Sequence, residues 1–593
     1  MITTEMLTEN RNTTAAPAVP TKPKTAKPSI LLNPQKYTRK YPDEKSRELM
    51  LNTLEFFEQK GLKKLKQDWH DRKWNYDFVE FMREHQVLAT LMTPSGYGAP
   101  DSRWDTYRNS GFSEITGFYG MAYWYTFQVS MLGLGPIWSG SNEGVKQKTA
   151  KLLQDGGVFA FGLSEKEHGA DIYSTDMMLN PQGDGAYKAN GDKYYIGNGN
   201  EAALVSTLGK IGGSEDYVWF VVESNHPKYE CVRNVVNHSI YVSTYVLHDY
   251  PITDADVLER GSKAWDNALN TVNICKFNLS FGSIGMCTHA FYEAIDHAAN
   301  RILYGKPVTD LPHVKKLFTD AYCKLVAMKL FAERAIDYMR TANENDRRYL
   351  LFNPMTKMKV TREGEEVMNL LHDVIAAKGF ENEPFFETAK QEVAMLPKLE
   401  GTVHVNMALV VKFMQNYLFN PKKYPEVPRR DDTSNDEFLF RQGPTHGLAK
   451  IQFHDYNIAY NSVDLPNVNV FKEQIKLFKK FLTDATPSKE QSANIDYNLA
   501  LGEMLTLVAY GQLIIENRKY FPVENDLLEE IFDFMVRDFS KYALSLHMKP
   551  SNTEKQKELS MEIIRTPVPN PERFERIFND YVFAMKGAYK MKD

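Results

Sequence analysis

Between Asp43 and Gln154 apolar residues recur at helical spacing, and short Gly- and Pro-containing breaks cut the pattern into pieces. Leu49, Leu51, Leu54, Phe56 and Phe57 fall in one helix-length piece that closes at Gly61. Phe78 to His85 makes a second, followed by the turn Pro94 to Pro100. Further helices are predicted over Gly111 to Met131 and Gly144 to Leu153, with Met131 to Pro136 breaking the pattern between them. At Gly156-Gly157 the character changes. Val158 to Leu163, Ala186 to Ile196, Tyr217 to Val222 and Asn237 to Leu247 are rich in β-branched and aromatic residues and are separated by Gly and Asn turns, which predicts strands. No long helix separates them, so the predicted sheet is antiparallel.

Helical spacing returns after Ser262. Val314, Phe318, Ala321, Leu325, Met328, Ala332, Ala335 and Met339 step by four and three, which puts one apolar seam on one helix face, as in a bundle. Leu409 to Leu418 continues in this style, and the charged stretch Pro421 to Glu437 reads as a linker. Beyond it, helices are predicted near 468–484, 494–518, 524–548 and 571–587, separated by prolines. The predicted fold class is mixed and mainly α. A disordered tail (1–34) leads into an N-terminal helical domain (35–155). A β-barrel or sandwich domain (156–262), a four-helix bundle (263–430) and an additional helical domain (431–593) follow.

Composition sharpens this picture at a few points. With 593 residues and 43% apolar content, the chain can bury a large core. A formal net charge of -5 argues against a nucleic-acid-binding chain. Cys231, Cys275, Cys287 and Cys323 make no CxxC pair and read as reduced thiols of a cytoplasmic protein. No run of about 18 uncharged apolar residues predicts a membrane span. The most apolar helical stretch, Leu499 to Ile515, contains Glu503 and Gln512 and reads as a core helix. The Thr-, Ala-, Pro- and Lys-rich start lacks the apolar region of a secretory signal.

Searches for chemistry leave few candidates. There is no GxxxxGK[ST], GxSxG or HExxH motif, and no Cys/His set with zinc spacing. Gly197 to Ala202 matches GxGxxA, but no βαβ unit surrounds it, and it reads as a β-turn. The stretch Leu396-Pro-Lys-Leu-Glu-Gly-Thr-Val-His-Val-Asn406 is more informative. Pro397 ends one helix, Gly401 permits backbone angles closed to other residues, and Glu400 sits between them on a tight turn. Alone, the turn leaves two roles open for Glu400: a charge complementing a helix end, or a carboxylate aimed into a pocket.

Other segments bear on that choice. Ala160, Phe161, Leu163, Ser164, Glu165, Gly169 and Asp171, followed by Asn190, Gly191, Lys193, Tyr195, Ile196 and Asn198, resemble two motifs of the acyl-CoA dehydrogenase family with their internal spacing kept. Asn300-Arg-Ile-Leu-Tyr-Gly305 resembles a third, and Gly379-Phe380 precedes Glu400-Gly-Thr402 by the family's interval. The resemblance covers about 45–420, and the remaining residues resemble, in helical content, the extension of the family's larger members. It implies an FAD-dependent oxidoreductase that converts an acyl thioester to a trans-2-enoyl thioester.

In that resemblance Glu400 is the catalytic base for the α-proton, in a dry site that raises its pKa. The thioester oxygen is stabilised as in an oxyanion hole, and the β-hydrogen leaves as hydride to the flavin. Phe161, Leu163, Ser164, Tyr195, Ile196, Gly197, Arg301, Tyr304, Gly379 and Thr402 are implied to contact FAD. Arg301 would pair with the pyrophosphate across a subunit interface. Ala170, Lys276 and Gly401 are implied at the substrate. The chain departs from the family at Gly197 and Ala170, which replace hydroxyl residues, at Ala376-Ala377, which replace paired glycines, and at Val314, near the place of a Gln. Lys276 replaces an arginine that contacts the CoA nucleotide, keeping the charge but not the fork. The implied partners are an acyl-CoA or acyl-carrier-protein thioester, an electron-transfer flavoprotein, and further copies of the chain in a dimer or tetramer. The resemblance leaves an oxygen-using acyl-CoA oxidase and a non-catalytic relative as alternatives.

Overall fold

The computed structural model describes residue 27 and residues 29–593. Residues 1–26 and 28, most of the expected tail, lie outside the described residues. Helices dominate on both sides of one sheet. The sheet's strands are β1 (Val158–Gly162), β2 (Met178–Gly183), β3 (Ala186–Gly197), β4 (Ala202–Ile211), β5 (Tyr217–Val222), β6 (Tyr229–Asn234), β7 (Val242–Thr253) and β8 (Val257–Arg260). They run in the order β6-β7-β3-β2-β4-β5-β8, with β1 added beside β4.

The sheet differs from expectation in two ways. It is open, with no closure into a barrel, and β1 and β2 both pair with β4 in parallel. The long crossover from β1 to β2 lets β1 enter in the same direction as β4, and a period-two pattern carries no information on strand direction.

The helices show two further differences. The expected Gly111 to Met131 helix is two helices, Thr106–Tyr119 and Met121–Ser139. Gly120 breaks the chain between them at φ 141°. The second helix then runs straight through Met131 to Pro136. Its glycines serve contact rather than chain breaking: a Cβ on Gly133 would lie 2.7 Å from the Ala160 backbone nitrogen, and one on Gly135 would lie 2.4 Å from a Thr271 methyl. This helix is therefore seated directly on β1, where close backbone approach requires glycine.

Two long helices, Gly261–Cys275 and Phe277–Asn300, are separated only by Lys276. The Pro312–Arg340 helix packs beside them, and its seam is buried throughout. The C-terminal helices join the same apolar core, which runs from Leu31 to Met591, while the sheet has a smaller core of its own. Ile495–Asn517 packs against the Pro312–Arg340 helix. It is the one described helix long and apolar enough to cross a membrane, and it is buried, with Glu503 held by Arg362 and Gln512 bonded to His454.

The charged stretch 421–437 does not behave as a linker. It lacks regular structure, but Arg334 donates to the Val427 carbonyl at 2.7 Å and Arg340 to the Ser434 carbonyl at 2.5 Å. Buried arginines on one helix thus strap it to the bundle.

Candidate active site

Glu400 sits where the sequence places a turn. A short 3₁₀ segment, Leu396–Lys398, ends at the extended Leu399, and the helix Val403–Val410 begins after Thr402. Between them Glu400 has φ 50° and Gly401 φ 84°. A left-handed glutamate costs about 1–2 kcal/mol, so the turn must be held from outside. Lys357 donates to the Pro397 carbonyl at 2.6 Å and also to the Gly401 carbonyl. Asn406 donates to the Gly401 and Thr402 carbonyls, each at 3.0 Å, and Lys276 donates to the Asn406 side chain at 2.8 Å. Lys357 lies on a π-helical turn, Thr356–Val360, spliced between two α-helices. Such turns reorient side chains and are frequent at functional sites.

The carboxylate is asymmetric. Gln128 donates to Glu400 Oε1 at 2.6 Å, whereas Oε2 is buried without a partner. Burial pushes the carboxyl up to about 7, against the Gln128 hydrogen bond and the Lys357 and Lys276 charges. Burial lowers Lys357 to about 7 and Lys276 to about 8, and Glu400 opposes both shifts. A buried carboxylate titrating near neutrality, with one unpaired oxygen, can accept a proton from a bound molecule.

The sheet reaches the same place through the Met121–Ser139 helix. A Cβ on Gly197 would lie 2.6 Å from the Tyr125 ring and 2.7 Å from a Val129 methyl. Tyr125 also senses the Glu400 charge, so one helical turn bridges the end of β3 and the Glu400 turn. Leu163 and Ser164 follow β1, half-buried, and the Ser164 carbonyl accepts from the Tyr194 N–H at 2.9 Å. The Ser164 hydroxyl has no hydrogen bond among the described residues. Tyr195 takes φ 64° at a bulge in β3 and exposes 62% of its surface. Thr402 is exposed at the start of its helix, which has no side-chain cap.

Ile196 is buried in the sheet's core, and Phe161 stacks on Trp219 with centroids 5.3 Å apart. Ala170 is on an exposed loop. Lys276 is buried and committed to Asn406, beside the carboxylate rather than on a surface where a nucleotide would lie. Arg301 and Tyr304 are exposed at the far end of the 24-residue Phe277–Asn300 helix, about 36 Å from its start at Lys276. Burial, and then the charges of Lys378 in the 376–380 turn and of Arg301, lower the His297 pKa, so both cations lie near His297. Gly379 is buried against His372 in that turn, and Phe380 is 71% exposed. The chain thus forms two clusters, one at Glu400 and one at Arg301.

Sequence reasoning missed Tyr125, Gln128, Lys357 and Asn406. A signal existed for Gln128, the one amide side chain in the run Met121 to Ile137.

Residues 263–415 match the family model described as acyl-CoA dehydrogenase, C-terminal domain. The match, the relatives below and the solved structures all support the acyl-CoA dehydrogenase family. It is similar to a probable short/branched chain specific acyl-CoA dehydrogenase of Dictyostelium discoideum, with 23% identity over 45% of this chain and 65% of that one. A short-chain specific acyl-CoA dehydrogenase of Megasphaera elsdenii is 25% identical over 34% of this chain and 52% of that one. The matches thus span from about half to 65% of these relatives' lengths. Among solved structures, an acyl-CoA dehydrogenase from Bacillus anthracis complexed with FAD superposes with a TM-score of 0.64 at 17% identity, covering 93% of this chain and 96% of that one. The fold shared with that structure therefore extends through the C-terminal helices.

Proposed function

We propose that this protein oxidises the Cα–Cβ bond of an acyl thioester to a trans-2-enoyl thioester, with FAD as cofactor and Glu400 as the base. The observation that carries the reading is the Glu400 carboxylate, held on a strained turn with Oε2 buried and free. Oε2 takes the α-proton. Burial keeps the carboxyl basic enough to do so near neutrality.

The residues present fit FAD. The unpaired Ser164 hydroxyl, the exposed Tyr195 ring and the uncapped start of the Val403–Val410 helix offer a flavin a donor, an apolar wall and backbone amides. At Gly197 a hydroxyl is missing, and Tyr125 and Val129 fill its place. FAD bound there supplies the acceptor for the hydride that leaves the β-carbon.

Arg301 makes no ion pair among the described residues and lies too far along its helix to reach the Glu400 site of its own chain. Its guanidinium suits the FAD pyrophosphate bound to a second copy, so a homo-oligomer is part of the proposal. An electron-transfer flavoprotein as acceptor and a reducing, cytoplasmic compartment belong to the same reading. The second candidate for the thioester is an acyl-carrier-protein conjugate. It is favoured by Lys276, whose ammonium is spent on Asn406 rather than offered to a nucleotide.

The test is anaerobic mixing with acyl-CoAs of graded length and with acyl-carrier-protein thioesters, following the absorbance of oxidised flavin. One class should bleach it. Glu400→Gln should retain the yellow cofactor and lose about 10²–10⁴-fold in bleaching rate. A variant that still turns over at the native rate removes Glu400 as the base. A chain that never takes up FAD supports the non-catalytic alternative, and peroxide formation in air supports the oxidase.

A further inference from the structure

Gln128 is held on every side. Its Nε2 donates to Glu400 Oε1 at 2.6 Å and to the Cys275 carbonyl at 3.2 Å, which uses both of its hydrogens. Its Oε1 accepts from Asn278 Nδ2 at 3.0 Å, and the same Asn278 nitrogen reaches the Met131 sulfur at 3.0 Å. The Asn278 backbone carbonyl accepts from the Trp124 indole at 3.2 Å, which anchors the main chain there, while its side-chain oxygen is buried without a partner. The orientation of the Gln128 amide therefore follows from its surroundings. An amide turned the other way would set its oxygen against the Glu400 carboxylate and the Cys275 carbonyl. Trp124, Gln128 and Met131 lie on successive turns of one helix, and Cys275 and Asn278 flank Lys276 between the two long helices.

We infer that Gln128 is a positioning residue for Glu400. It fixes Oε1 by a charge-assisted hydrogen bond, so that Oε2 alone meets the substrate's α-proton. The inference rests on the reading of Glu400 as the base. Without the Gln128 donor, the carboxylate on its left-handed turn has two equivalent oxygens and freedom to rotate about its last bond. The groups that face this carboxylate are Gln128 and Tyr125 from the Met121–Ser139 helix, Cys275 and Lys276 from the junction of the long helices, and Lys357 from the π-helical turn. Lys276 and Lys357 act through charge, whereas Gln128 makes the hydrogen bond to it.

The experiment uses the full-length holoprotein and Gln128→Met, which keeps the length of the side chain and removes the donor. Ionisation of Glu400 is followed by infrared difference titration on protein labelled at glutamate carboxyl carbons, with Glu400→Gln as the blank. A donor to the charged form lowers a carboxyl pKa, so its removal should move the Glu400 titration up by about one unit. With a substrate in hand, kcat should fall while KM stays within a factor of about two, because ground-state contacts are unchanged. A titration that stays in place overturns the inference even if Glu400→Gln is inactive. A titration that moves while no thioester is oxidised leaves the positioning intact and removes the proposed reaction. If Gln128→Met does not fold, Asn278→Ala frees the Gln128 amide and should give a smaller upward shift; no shift there also overturns the inference.

Discussion

Glu400 carries opposing influences whose sum fixes the pH range in which it can work. Burial raises its pKa to about 7, while Gln128, Lys357 and Lys276 hold it below what burial alone would give. A base must be ionised, so kcat/KM should rise with pH and level off above a midpoint near 7. A solvated glutamate would give a midpoint near about 4.3. A profile with its acid limb there would refute the account of a desolvated carboxylate. The position of Glu400 was legible because Pro397 and Gly401 mark its turn within the local sequence. Its supports were not. Lys357 is 40 positions from Pro397, and Gln128 is 272 positions from Glu400. Helical periodicity places such residues on a face but does not say which distant turn that face meets.

At the scale of elements, the contact between β3 and the Met121–Ser139 helix explains a departure from the family. The sequence shows Gly197 where the family resemblance implies a hydroxyl residue. The structure adds a steric reason, since Tyr125 and Val129 occupy the space of any side chain there. The φ of Gly197 is not in the left-handed region, so space and not backbone strain forbids a larger residue. Gly197→Thr should therefore destabilise the protein by about 1–3 kcal/mol in urea unfolding. Tyr125→Ala should relieve part of that cost. The double-mutant cycle should show a favourable coupling of about 1 kcal/mol or more, and strict additivity would mean that the two residues do not compete. Residues Met131 to Pro136 mislead for a similar reason. Glycine and proline read as helix breakers, yet here the glycines let a helix lie on β1 and against Thr271, and no local pattern separates a break from a close approach.

Across the whole molecule, the order of helical, β and helical segments was legible, because a change of hydrophobic period survives in any context. The role of 421–437 was not, because a charged, proline-containing stretch has the composition of a linker whether or not its charges are met. Here they are met by partners far away in the chain. Arg340 pairs with Asp436 at 3.1 Å and with Asp105 at 3.5 Å, and none of the three side chains is more than 1% exposed. Asp436 also accepts the Thr106 N–H at 2.6 Å, at the start of the Thr106–Tyr119 helix. One buried arginine thus ties the Pro312–Arg340 helix, the strap and the N-terminal helices into one body. Removing it leaves Asp436 buried without its cation and Asp105 with Arg103 alone, and breaking a buried pair costs about 3–5 kcal/mol. Arg340→Met should therefore lower global stability by about that much and make 427–436 the first site of limited proteolysis. A linker would behave differently: the substitution would cost less than about 1 kcal/mol, as for an exposed pair, and the strap would be cut equally fast in the parent protein. Because the C-terminal helices share the core that runs from Leu31 to Met591, the loss should register as one cooperative transition at lower denaturant, not as early melting of residues 431–593 alone.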